Sequence, residues 1–247
     1  MRIRDDIDGI ISGLKGTVRE GMDGIMKQRV LIGIPCNYDF IHTRFMHSYI
    51  TLEKPYQTVP CFSGTSRIDK SRDSIVQNAI QRGMDYIFFL DSDMCPSPFC
   101  LTNLMKYNLD VVGAICFRKI APYTPCIAKD VDGKMKAILD YEKGLIEVDY
   151  IGAGCLLIKT KIFEKIQPPW FRFTEMSEDY TFCKLARDNG FKIYCDTNEI
   201  CPHLIQGQIS ENQYTQFQKT QEYGKILETL KQNNELSDKI QLSKLEV

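Results

Sequence analysis

Asp91 and Asp93 stand two residues apart, directly after the apolar run YIFFL (86–90). In an extended turn that spacing lets both carboxylates point the same way and share one hard cation. Mg2+ and Mn2+ take oxygen ligands in octahedral geometry and keep positions open for phosphate. The plainer reading is an acidic turn that caps the next helix; the buried strand in front of it favours the metal. A second acidic pair, Glu178-Asp179, follows Ser177 at the start of a helical pattern, where carboxylates also complement the helix dipole. The chain has three histidines, and His203 sits after a strand in the Pro-bounded loop Cys201-Pro202-His203. A lone loop histidine is ordinarily a surface group.

The elements around these residues alternate. VLIGIP (30–35) and QTVPCF (57–62) read as strands, and SRDSIVQNAIQRG (71–83) reads as a helix capped by Ser71 and stopped by Gly83. YIFFL is a fully apolar strand. Ser97-Pro98 opens another helix, with serine at the cap and proline in the first turn. DVVGAICF (110–117) is a further strand, and the β-α-β-α-β order implies a parallel sheet with helices on both faces. Short strands joined by D-G and K-G turns fill 120–150, GAGCLLIKT follows, and a helix is expected over 160–166. SEDYTFCKLARDNG (177–190) is a helix that Asn189-Gly190 ends, FKIYCD (191–196) alternates as a strand, and Ser210 with Gln213 forms a capping box for a long C-terminal helix. Ligands in such open sheets bind beyond the carboxyl ends of the strands, where Asp91 and Asp93 lie.

The 247 residues, 43% hydrophobic, suffice for one sizeable core with short extensions. The net charge of -1 demands neither nucleic acid nor an anionic membrane as partner. Ten cysteines without a C-x-x-C pair, several inside apolar runs, are expected to be reduced, buried thiols. No apolar run reaches the ~20 residues of a spanning helix, and the charged N-terminus lacks a signal peptide's apolar core, so the expected location is cytoplasmic. Residues 1–28 carry an amphipathic helical stripe suited to packing on the domain or on a second copy in a homo-oligomer. The division expected is 1–28, 29–205 and 206–247, the outer two being helical extensions.

FFLDSDM, VGAICF, DYIGAGCLLIK, SEDYTFCKLARDNGFKIYCD and CPHL, in this order over roughly 29–205, resemble the GT-A glycosyltransferases related to family 2. The resemblance implies a Rossmann-like mixed, mostly parallel sheet flanked by helices. It also implies transfer of a sugar from a nucleotide-diphosphate sugar, a UDP-sugar first, with Mn2+ or Mg2+. Asp93 would bind the metal, Asp91 the metal or the nucleotide ribose, and His203 the same cation. Asp179 would take the acceptor's proton, as in inverting relatives, with Glu178 orienting it. Gly152, Ala153 and Gly154 would form a small-residue loop beside the donor sugar, or simply a tight turn. Pro35 and Asn37 map to the base-contacting loop, Arg72 to a diphosphate-facing arginine, and Arg118-Lys119 to the sugar or acceptor side. The acceptor is left open among a glycan, a protein, a lipid-linked sugar and a modified nucleic-acid base. Two other functions compete: a haloacid-dehalogenase-like phosphatase with Asp91 as nucleophile, and a non-catalytic module that binds nucleotide or sugar.

Overall fold

The computed structural model describes residues 21–36, 40–64, 67–205, 208–220 and 222–229. Its centre is a seven-stranded mixed sheet built from β1 (Arg29–Pro35), β2 (Gln57–Ser63), β3 (Tyr86–Leu90), β4 (Val111–Ile115), β7 (Leu145–Val148), β9 (Cys155–Lys159) and β10 (Ile193–Ile200). The order is β2-β1-β3-β9-β4-β10-β7. Five strands run parallel; β9 and the edge strand β7 run against them. Two small sheets accompany it: β6 (Lys134–Ala137), β5 (Ile127–Val131) and β8 (Tyr150–Ile151), then β11 (His203–Leu204) with β12 (Gln208–Ile209).

The inner strands are uninterrupted apolar runs because both faces of the sheet are covered. Period-two alternation divides them. Leu31, Ile87, Phe89, Leu156 and Ile158 join the core under α2 (Ile68–Gln81) and α4 (Glu178–Asp188). Val30, Ile32, Phe88, Leu90, Cys155 and Leu157 join the opposite core under α1 (Thr43–Thr51) and α3 (Cys100–Lys106). Gly33 lies where α2 comes closest; a Cβ there would meet Ile75 Cγ2 at 2.5 Å. All ten cysteines are free thiols, seven of them buried, and Cys100 and Cys155 meet at 3.7 Å between their sulfurs.

Several element ends differ from expectation. Helix α2 begins a turn early, with Arg67 rather than Ser71 at its N-cap, and Ser71 is buried inside it. Helix α3 starts at Cys100, because the Ser97 hydroxyl donates to Glu199 Oε2 (2.8 Å) instead of capping. Residues 160–164 form a 3-10 turn rather than a helix to 166. The 177–190 helix holds, with Ser177 at the N-cap and Gly190 in the left-handed region at φ +82°. The capping box at Ser210 opens α5 (Glu211–Gln218), and residues 222–229 are again helical, so the C-terminal helix is not one rod. Of the N-terminal stripe, 21–26 are helical and 1–20 lie outside the described residues, as does the tail beyond 229. No helix among the described residues is long and apolar enough to cross a membrane.

Candidate active site

The antiparallel strand β9 is what assembles the site. An antiparallel strand begins at the edge where its parallel neighbours end, and Cys155 pairs with Leu90, the last residue of β3. The turn Gly152-Ala153-Gly154 therefore lies beside Asp91, whose amide donates to the Gly154 carbonyl (2.9 Å). The same turn meets the start of α4, where the Ala153 amide donates to Asp179 Oδ2 (3.3 Å). It also meets α2, where Arg72 Nη1 donates to the Ala153 carbonyl (3.3 Å). Three chain-distant segments thus share one three-residue turn. Small residues fit there for a local reason. A Cβ on Gly152 would lie 3.1 Å from Cys126 Cβ, and one on Gly154 would touch Met94 at 3.4 Å.

Arg72 is buried, and its guanidinium is held by protein. Nη2 donates to both oxygens of Asp91 (3.0 and 3.1 Å), and Nε donates to Glu178 Oε1 (3.2 Å). Arg72, expected to face a diphosphate, here joins α2, the 91–93 turn and α4. Burial pulls its pKa down, yet Asp91, Glu178 and Asp179 together hold it above the ordinary arginine value. Burial pushes the Asp91 and Glu178 carboxyls up, against the pull of Arg72. Glu178 is buried, whereas Asp179 remains partly open. Asp179 Oδ1 accepts from the Ser177 hydroxyl and the Tyr180 amide, leaving Oδ2 with the single Ala153 contact.

A short antiparallel contact supplies the rest. The Leu204 amide donates to the Asp93 carbonyl (2.7 Å) and the Cys95 amide to the Pro202 carbonyl (2.9 Å), which seats His203 across from the 93–94 turn. His203 Nδ1 lies 2.9 Å from the Phe117 carbonyl. A carbonyl has no proton to give, so Nδ1 carries the hydrogen and Nε2 faces Asp93 Oδ1 at 3.4 Å. Lys119 Nζ pairs with the other oxygen, Oδ2. Burial would raise the Asp93 carboxyl, but the pull of its neighbours His203 and Lys119 outweighs it and holds it at about 2.

The three residues expected to hold a metal differ in the partners that engage them. Asp91 is bound through both oxygens to Arg72, and among the described residues no three His, Cys, Asp or Glu side chains converge to hold an ion by themselves. Asp93 and His203 remain as a two-donor set, with the imidazole oriented by a backbone carbonyl as metal-binding histidines are. That set suits Mg2+ or Mn2+, which complete their shell with water and substrate phosphate. Pro35 is the buried last residue of β1, and Asn37 lies outside the described residues. The Phe117 carbonyl was not legible in the sequence, since a backbone acceptor leaves no residue-type signal.

No family model and no curated protein matches this chain. Among solved structures, the crystal structure of A197 from STIV superposes with TM-score 0.60 at 19% identity, covering 75% of this chain and 92% of that one. S. aureus TarS 1–349 in complex with UDP-GlcNAc superposes with TM-score 0.44 at 14% identity, covering 68% of this chain and 56% of that one. The A197 likeness bears on the fold alone: a mixed α/β chain with a mostly parallel, Rossmann-like central sheet flanked by helices.

Proposed function

We propose that this chain is a nucleotide-sugar-dependent glycosyltransferase of the GT-A type. The observation that carries the reading is the 152–154 turn, which gathers Asp91, Asp179 and the Arg72–Glu178 pair at the carboxyl edge of the sheet, next to Asp93 and His203. The roles divide by partner. Glu178 and Asp91 hold Arg72 and fix the frame. Asp179 is only partly buried, with one amide on Oδ2, and takes the proton from the acceptor hydroxyl as that oxygen bonds to the sugar carbon and the bond to the diphosphate breaks. Asp93 and His203 would hold a divalent cation, which supplies charge neutralisation to the departing diphosphate. The Asp91 grip on Arg72 weighs against a phosphatase, because both oxygens of the would-be nucleophile are engaged.

Hydrolysis and transfer with uridine, guanosine and cytidine diphosphate-sugars plus Mn2+ test the reading. Asp93→Asn should slow turnover by about 10²–10³. Asp179→Asn should lower transfer by about 10²–10⁴ with donor binding little changed. Near-normal transfer in Asp179→Asn removes the base assignment. Tight nucleotide binding without turnover in the wild type makes the chain a binding module instead.

A further inference from the structure

Among the described lysines and arginines of the site, Lys119 alone is held by a carboxylate that the proposed cation also needs. We propose that Lys119 is a built-in counter-cation: its ammonium neutralises Asp93 until a divalent ion displaces it, after which it pairs with the diphosphate of the incoming donor. The proposal rests on the metal-dependent reading above and deepens it.

The charge balance motivates the exchange. Asp91, Asp93, Glu178 and Asp179 place four carboxylates in the site, against the cations Arg72 and Lys119. Arg72 is buried and gripped on three sides, so its charge stays in place. Lys119 is different. Its side chain is 39% exposed and that of Asp93 36%, so the pair sits at the mouth of the site with a route to solvent. The two kinds of base match these duties. Guanidinium suits a fixed multi-dentate grip, while an ammonium on a flexible four-carbon stem exchanges partners.

The segment that carries Lys119 is tied at its base and open at its tip. Phe117 bridges to Pro125, and the Arg118 amide donates to the Thr124 carbonyl (3.0 Å). Ile120, next to Lys119, is 71% exposed. The anchored end also presents the carbonyl that orients His203. One loop therefore aims the imidazole at Asp93 and supplies the ammonium that competes with a metal there. An ammonium and a divalent ion on the same carboxylate repel each other, so each weakens the hold of the other.

Mn2+ binding to the full chain, followed by electron paramagnetic resonance without nucleotide, reads the first half directly. Lys119→Met should bind Mn2+ alone about 3- to 10-fold more tightly than wild type, the size of a single screened charge repulsion. Inorganic pyrophosphate, added with saturating Mn2+, reads the second half: the same variant should bind it about 10-fold more weakly. Exposed ion pairs add little to stability, so the variant should fold, and Lys119→Gln guards against an effect of the apolar replacement. Unchanged or weaker Mn2+ affinity in both variants overturns the counter-cation role. Tighter Mn2+ with unchanged pyrophosphate affinity overturns the hand-over to the diphosphate. Absence of Mn2+ binding in folded wild type and variants, both alone and with a nucleoside diphosphate present, sinks the metal-dependent reading itself, and this proposal with it.

Discussion

Arg72 is 1% exposed, with its guanidinium between Asp91, Glu178 and the Ala153 carbonyl, and Phe89 and Phe171 lie 5.3 and 5.9 Å from it. A buried charge of this kind is stable only while its partners stay, because breaking a buried pair leaves an uncompensated carboxylate. Arg72→Met should destabilise the chain by about 3–5 kcal/mol in urea titration. Arg72→Lys should rescue little, since one ammonium cannot span both carboxylates and the carbonyl. A loss below about 1 kcal/mol for Arg72→Met would mean that Asp91 and Glu178 reach water by themselves. The family resemblance pointed to Arg72 as part of the site, from its place near the start of the helix before YIFFL. Its partners were not readable, because Glu178 arrives from a helix far along the chain.

At the scale of elements, the insertion of β9 between β3 and β4 matters most. Its apolar run CLLIK was legible as a strand, but its direction and position were not. A run of this length buried on both faces has no polar side to report its neighbours. The close fit of β4 against β9 makes a test. A Cβ on Gly113 would stand 2.7 Å from Ile151 Cδ1 and 3.0 Å from the Cys155 carbonyl oxygen, a backbone atom with little freedom to yield. Gly113→Ala should lose about 1–3 kcal/mol by overpacking, measured by denaturant midpoint. A loss under about 0.5 kcal/mol would show that β9 shifts easily, and with it the turn that gathers the acids. Helix caps were misplaced by two and four residues: Ser97 bonds to Glu199 instead of capping α3, and Ser71 is buried inside α2.

For the whole molecule, acid stability separates the site's carboxyls by sign. Asp93 is held at about 2, below its unfolded value. It therefore contributes stability above pH ~4 that is lost as pH falls toward 2. Asp73, Asp91 and Glu178 are pushed up by burial, so protonation favours the folded state and their contribution is lost as pH rises through their folded values. Melting temperatures taken from pH 5 down to 2 should fall less steeply in Asp93→Asn than in the wild type. Parallel curves would show that Asp93 is not held by Lys119 and His203 in solution.

Local chemistry was open to reading from the chain alone. Apolar runs marked the inner strands, Asn189-Gly190 ended α4, and the acids at 91, 93, 178 and 179 stood at strand and helix ends. These are nearest-neighbour properties, set by side-chain volume, backbone preference and the period of each element. Which acid binds a metal, which grips an arginine and which stays free is a matter of partners distant in sequence. Asp91 went to Arg72, Asp93 to Lys119 and His203, and Asp179 to a backbone amide of the 152–154 turn. A carboxylate's role follows from the charges and donors within a few ångströms of it, and those neighbours exist only once the antiparallel strand has brought the edge together.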